Sequence, residues 1–175
     1  MGEQEVAAGQ AALRASPGER VLQIDIGCTP APGPAAAPVL FMNDDVAFLV
    51  FNALRTSGGW RGRDATERAV VEIKRCTTTR FGYPSDAALA GHPLFEKGLG
   101  SFGVFEVVDS TWVAQLSGQH AAARPAAPPL PPQRHFVFTF HDSTLECVAD
   151  DLVVVLTRDS LNDVIAGILP MMREG

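Results

Sequence analysis

The sequence has no long hydrophobic run. No stretch of the 175 residues approaches the roughly 20 apolar residues that a membrane-spanning helix needs. The N-terminus, MGEQEVAAGQAAL, is acidic and lacks the apolar segment of a secretory signal. We therefore expect a soluble, cytoplasmic protein that does not act on membranes.

Clustered positive charge is also missing. The net charge is −6, the isoelectric point is about 5.1, and lysine and arginine are scattered along the chain. A protein that neutralises phosphates needs a concentrated basic surface. We therefore do not expect nucleic acids to be partners of this protein.

Cysteine is scarce, and no cysteine pair has metal-site or redox spacing. The three cysteines, Cys28, Cys76 and Cys147, lie far apart, which favours reduced thiols in a cytoplasmic protein. The nucleophile-elbow and phosphate-loop motifs are absent. Gly98 to Gly103 reads GLGSFG, but it lies between a loop and a strand, whereas a dinucleotide fingerprint joins a strand to a helix. We predict no cofactor.

The clearest pattern in the chain is an alternation from Arg134 to Ala149. Phe136, Phe138 and Phe140 fall on one face of a strand, and Val137 falls on the other. A two-residue turn would pair Thr139 with Glu146 and Phe138 with Cys147, although a four-residue loop from His141 to Thr144 is an alternative. The phenylalanine face is predicted to be core, and the other face to be half-exposed.

Other segments complete the predicted architecture. We interpret residues 1–19 as a mobile arm, Arg20 to Ile26 as a strand, and the proline-rich stretches 27–38 and 121–133 as surface connections. Val39 to Met42 and Val46 to Leu54 form a hairpin. The arm from Val46 to Leu54 is apolar on both faces, so a buried helix remains an alternative to a strand there.

The remaining strands and helices are assigned from the same kinds of pattern. Glu67 to Phe81 and Val104 to Val108 are predicted strands, and Leu152 to Leu156 is a third, central strand after the 134–149 hairpin. The stretch Asp109-Ser110-Thr111 is predicted to cap a brief helix, and Asp159 or Ser160 to cap an amphipathic one. The result is one α+β domain over residues 20–175, with a mostly antiparallel sheet or partial barrel and the C-terminal helix packed on it.

A long irregular segment, Gly82 to Gly103, carries apolar residues of its own, and such loops are commonly functional. We expect a binding protein that recognises a protein partner or a small apolar ligand through this loop and one face of the sheet. The candidate binding residues are Trp60, Tyr83, His92, Phe95 and Trp112. A homodimer through an edge strand is compatible with so β-rich a chain.

A small enzyme is the alternative. In the two-residue-turn register, Thr139, His141 and Glu146 share the polar face of the hairpin, and a histidine with a glutamate can perform acid and base chemistry. His135, His141 and Glu146 are weak candidates for a metal site. The simpler interpretation is that these residues alternate outward into water.

Overall fold

The computed structural model describes residues 18–56 and 66–172. Two antiparallel sheets pack face to face in an α+β arrangement, and they do not close into a barrel. No helix in the described ranges is long and apolar enough to cross a membrane. The first sheet, sheet A, contains β1 (Arg20–Gln23), β6 (Thr78–Gly82), β7 (Val104–Val108), β8 (Arg134–Thr139) and β9 (Thr144–Ala149) in the order β1-β7-β8-β9-β6.

The second sheet, sheet B, has the order β10-β5-β4-β2, with β3 also paired to β4. Its strands are β2 (Cys28–Pro30), β3 (Val39–Met42), β4 (Ala47–Arg55), β5 (Thr66–Lys74) and β10 (Asp151–Thr157). Two α-helices follow strands: α1 (Thr111–Ala123) and α2 (Leu161–Met171). Short 3₁₀ helices occur at Gly33–Ala36, Asp86–Gly91 and Phe95–Lys97.

The main core lies between the two sheets. The phenylalanine face of β8 points into it as predicted, and Phe51 of β4 meets Phe138 and Phe140 edge-on at centroid distances of 6.2 and 5.3 Å. Such T-shaped pairs suit the aromatic quadrupole. Val46 to Leu54 is therefore a strand, and its apolar character on both faces reflects the cover on each side of sheet B.

The two outer faces of the sandwich are covered differently. On sheet B, Val164 and Ile168 of α2 pack on Phe48 and Val50. The predicted amphipathic helix is confirmed, and Ser160 caps it by accepting a hydrogen bond from the Asp163 amide. On sheet A the cover is the 83–103 segment, which contributes Leu89, Leu94 and Leu99 to a cluster with Val137.

The predicted hairpin between Arg134 and Ala149 exists, but its register differs. Thr139 pairs with Thr144, Val137 with Glu146, and Phe136 with Cys147, so the loop comprises the four residues 140–143. The shift from the two-residue-turn register is two positions, which leaves every side chain on its predicted face. The prediction that the polar face is half-exposed is wrong, because His135, Val137 and Glu146 are all buried.

Two predicted strand assignments are corrected where the sheets join. The Glu67 to Phe81 strand is divided between β5 in sheet B and β6 in sheet A, with Arg75 at a φ of 46° in the connection. Strand β10 leaves β9 at Asp150 and enters sheet B, where β5 is its one strand partner among the described residues, at the edge of the sheet. The chain therefore has no three-stranded meander here, and β10 is not central.

Hydrogen bonds hold this corner together. The Asp150 amide donates to the Lys74 carbonyl at 2.9 Å, and the Thr77 amide donates to the Val148 carbonyl at 2.8 Å. The Arg75 guanidinium pairs with the Asp150 carboxylate. These contacts bend a continuous pair of strands from one sheet into the other.

Two predicted surface segments are more ordered than expected. Within 27–38, Cys28–Pro30 pairs with β4, and Cys28 and Ala36 are buried. Glu19, which falls in the predicted mobile arm, is buried as well, whereas residues 1–17 lie outside the described residues. The 121–133 stretch begins with the end of α1 and is largely exposed.

Because β8 is buried on both faces, substitutions on either face should lower the stability of the protein. Phe138→Ala should lower the free energy of unfolding by about 3–5 kcal/mol, and Val137→Ala by about 1–3 kcal/mol, because both side chains are fully buried. Chemical denaturation measures both. Leu22→Ala, at a side chain that is 48% exposed on β1, is the control and should change stability much less. A Val137→Ala effect as small as the control would contradict burial of the outer face.

Candidate functional site

A cavity of about 260 Å³ lies over the outer face of sheet A, between the strands, the 83–103 segment and the start of α1. We call it the His–Glu cavity, after the buried carboxylate and histidines in its wall. Its lining residues are Glu19, Arg80, Tyr83, Pro84, Gly91, His92, Pro93, Leu94, Thr111, Trp112, Gln115, His135 and Glu146.

Glu146 on β9 is the most constrained polar group of the wall. One carboxylate oxygen accepts a hydrogen bond from His135 Nε2 at 3.1 Å. His92 Nε2 lies 3.5 Å from the other oxygen, and an Arg80 guanidinium nitrogen lies 3.9 Å from it. His135 reaches Glu146 because Val137 stands opposite Glu146, which makes His135 its diagonal neighbour on the same face.

Burial acts to raise the pKa of Glu146, but the hydrogen bonds from His135 and His92 outweigh that effect. The pKa is lowered from 4.5 to about 2, because those donors favour the charged form. Glu146 is therefore ionised throughout the physiological range. A carboxylate in this state accepts hydrogen bonds and holds donors in place, and it is a poor proton donor at neutral pH.

Each of the two histidine rings is also held by a hydrogen bond at Nδ1. His135 Nδ1 lies 2.9 Å from Ser110 Oγ, and His92 Nδ1 accepts a hydrogen bond from the Leu94 amide at 3.1 Å. In each ring Nε2 therefore carries the proton that faces Glu146. Both nitrogens of both rings are engaged.

Ser110, His135 and Glu146 form a chain that resembles a nucleophilic triad in composition, but its geometry serves the fold. Ser110 Oγ also accepts the Val113 amide at 3.3 Å and so caps α1. The serine is buried and does not line the cavity. A nucleophile must reach its substrate, so this chain positions α1 and His135.

Trp112 and Arg80 line the cavity beside His135 and Glu146. The Trp112 ring meets His135 edge-on at a centroid distance of 5.1 Å, and the Arg80 guanidinium carbon lies 3.9 Å from the centre of the Trp112 ring. Close stacking of this kind is a cation–π contact. Nearby, Thr111 donates from its amide and its hydroxyl to the Glu19 carboxylate.

Five of the predicted site residues meet at this cavity: Tyr83, His92, Trp112, His135 and Glu146. Tyr83 is 85% exposed at its mouth. Phe95 is partly exposed and lies outside the lining, and Trp60 lies outside the described residues. Sequence patterns did not single out Glu19, Arg80 or Gln115, because none of them belongs to a motif, and they indicated Ser110 only as part of a helix cap.

His141 and Thr139 lie elsewhere. His141 Nδ1 is 3.1 Å from the Asp86 carboxylate, and its ring stacks on Phe102. Thr139 is buried and donates its hydroxyl to the Gly100 carbonyl at 2.8 Å. The predicted group of Thr139, His141 and Glu146 is therefore not assembled, since the hairpin register moves Glu146 away from His141.

Neither metal nor thiol chemistry gains support from the geometry. Within the ranges 18–56 and 66–172, no group of three His, Cys, Asp or Glu side chains is arranged to hold a metal ion. Burial raises the pKa of Cys28 to about 11 and also raises the pKa of Cys147. Both are neutral thiols at pH 7 and behave as small core residues.

Comparison of the chain with family models, curated proteins and solved structures found no match.

The lowered pKa of Glu146 predicts a pH-dependent stability. Its stabilising contribution is complete above about pH 4.5 and is lost as the pH falls towards 2, and it amounts to about 3 kcal/mol at most. Glu146→Gln should remove this part of the acid dependence of the unfolding free energy. Chemical denaturation at a series of pH values between about 2 and 4.5 measures this loss of unfolding free energy. Glu96→Gln, at an exposed carboxylate, is the control and should keep the acid dependence of the unaltered protein.

Proposed function

We propose that this chain is a cytoplasmic binding protein whose ligand is a small, largely apolar molecule held in the His–Glu cavity. We further propose that the ligand presents a carboxylate to Arg80. The observation that carries the proposal is the guanidinium of Arg80, which stacks on Trp112 at the cavity wall and whose contact with a carboxylate, among the residues that the structure describes, is a 3.9 Å pair with Glu146.

The size and composition of the cavity support a small ligand over a protein partner. Drug-sized ligands occupy roughly 300–1,000 Å³, and this cavity measures about 260 Å³. Tyr83, Leu94 and Trp112 supply apolar wall, and the charged side chains of the lining are Glu19, Arg80 and Glu146. A compact molecule with one ring and one polar group suits such a site.

The charges of the wall support a ligand that accepts hydrogen bonds from Arg80. The Glu146 carboxylate already has two histidine partners, and the Glu19 carboxylate already accepts from Thr111. Arg80 contributes a 3.9 Å ion pair to Glu146, which is too long for a strong hydrogen bond. A carboxylate is the group that a guanidinium binds most strongly, with two parallel hydrogen bonds.

The rigidity of the wall supports binding as well. Trp112 is buried by its contact with His135, and His135 is fixed at both ring nitrogens. Side chains that are already ordered lose little conformational entropy when a ligand arrives. The cavity is thus preorganised on the side that faces the sheet.

A pair of glycine substitutions tests whether the cavity is the binding site. Gly91 lines the cavity, and an added Cβ there meets no atom within 4 Å. Gly91→Leu should therefore leave the protein folded. Because Gly91 is a lining residue, we expect the added side chain to obstruct the cavity, so that binding of benzoate is weakened or lost. The measurement is a benzoate titration followed by Trp112 fluorescence in a Trp60→Phe background.

The matched control is Gly118→Leu on α1, where an added Cβ also meets no atom within 4 Å and which does not line the cavity. This variant should bind benzoate as the unaltered protein does. The proposal fails if neither benzoate nor benzyl alcohol, its neutral analogue, changes the Trp112 signal of the unaltered protein. Equal binding by the two glycine variants would contradict the assigned site.

A second substitution tests the role of Arg80. Arg80→Met retains an apolar stem over Trp112 but removes the charged donors. Benzoate affinity should fall about tenfold or more, since a hydrogen bond to a charged group contributes about 1.5–3 kcal/mol, while benzyl alcohol binding should change much less. Arg124→Met, at the exposed end of α1, is the control, and an equal loss there would point to a general charge effect.

A further inference from the structure

The edge strand β10 has a self-complementary sequence. Residues 152–156 read Leu-Val-Val-Val-Leu, which is the same in both directions about Val154. In an antiparallel pair of two copies centred there, Leu152 would face Leu156, Val153 would face Val155, and Val154 would face itself. Every direct pair is then apolar on both faces of the strand.

The exposure of β10 fits such a partner. Its inner partner is β5, and no other strand of the described residues pairs with it. Val153 and Val155 are 43% and 58% exposed, and Leu152, Val154 and Leu156 are only partly buried against the core. Natural edge strands are usually protected by lysine, proline or a bulge, whereas β10 contains neither lysine nor proline.

The charged residues at the two ends of β10 do not oppose this register. The strand begins after Asp150 and ends before Arg158, and pairing centred on Val154 sets Asp150 of one copy opposite Arg158 of the other, so that unlike charges face each other. The Arg158 side chain is 78% exposed, whereas the Asp150 side chain is 12% exposed and already pairs with Arg75 of its own copy. The apolar pairs of the strand, rather than this ion pair, therefore carry the association.

We infer that β10 is a homodimerisation surface, at which two copies pair antiparallel about Val154 and join their B sheets into one continuous sheet. The occupant is a second copy because an unrelated partner would not need the palindromic order of side chains. A single seven-residue strand buries little area, so the dimer is expected to be reversible and concentration-dependent. The surface belongs to the sheet that does not line the cavity, so the inference does not depend on ligand binding.

Sedimentation at increasing protein concentration tests the association. The full chain should shift from monomer to dimer, and Val155→Lys should abolish the shift, because it places a charge in the apolar pair with Val153 of the second copy. Leu22→Lys is the control: Leu22 is similarly exposed, at 48%, but lies on β1 at the edge of sheet A. A chain that stays monomeric throughout, or a dimer that survives Val155→Lys, would overturn the inference. The inference would also be overturned if Leu22→Lys abolished the dimer while Val155→Lys retained it.

Cysteine cross-linking tests the register. The Cα atoms of directly opposed residues are about 4.5–5.5 Å apart, within the range that a disulfide spans, so Val154→Cys should form a covalent dimer under mild oxidation. Leu152 lies on the same face as Val154 and is similarly half-buried. In the proposed pairing, however, the two copies of a cysteine at position 152 would lie roughly 13 Å apart along the strand. Leu152→Cys should not cross-link, and neither should the unaltered chain. Equal cross-linking at both positions, or none at Val154→Cys, would refute the proposed pairing.

Discussion

The buried carboxylate of Glu146 is the constraint on which the outer layer of sheet A depends. A charged group in the interior is tolerated only with hydrogen-bond partners, and here those partners are His135 from the neighbouring strand and His92 from the 83–103 segment. The segment must therefore pack on this face with His92 in place. His135 in turn is held by Ser110, which caps α1, so the position of the helix is linked to the same carboxylate.

The other polar residues of the β8–β9 hairpin attach the remainder of the segment. Thr144 donates to the Pro84 carbonyl at 3.0 Å, His141 meets Asp86, and Thr139 binds the backbone at Gly100. Between these anchors, Leu89, Leu94 and Leu99 exclude water by packing on the sheet. The His–Glu cavity lies beside this cluster, so the contacts that fix the segment also set the shape of the cavity wall. A ligand there would meet a surface that is already ordered.

Much of the architecture follows from local pattern. The period of two in a strand assigned the phenylalanines of β8 to the core, and the period of 3.6 located α2, because these repeats depend only on backbone geometry. Tyr83, His92, Trp112, His135 and Glu146 were also candidates from the sequence. The contacts among these residues were harder to predict. A slip of two residues keeps every side chain on its face, so alternation alone could not choose between His141 and His135 as the diagonal neighbour of Glu146.

The sequence by itself determined the faces of the β8–β9 hairpin, most of the strand positions and the two helices, since each is dictated by neighbouring residues in the chain. It did not show β2, which lies in a segment predicted to be a surface connection. Only the tertiary structure decided that the polar face of the hairpin is buried, because that depends on the cover supplied by residues 83–103 and α1. It also decided that β5 and β6 belong to different sheets and that β10 lies at an edge. The bend at Arg75 and Asp150 is stabilised by contacts between residues 75 positions apart. Hydrophobic periodicity reflects only neighbouring residues, so it cannot predict such contacts.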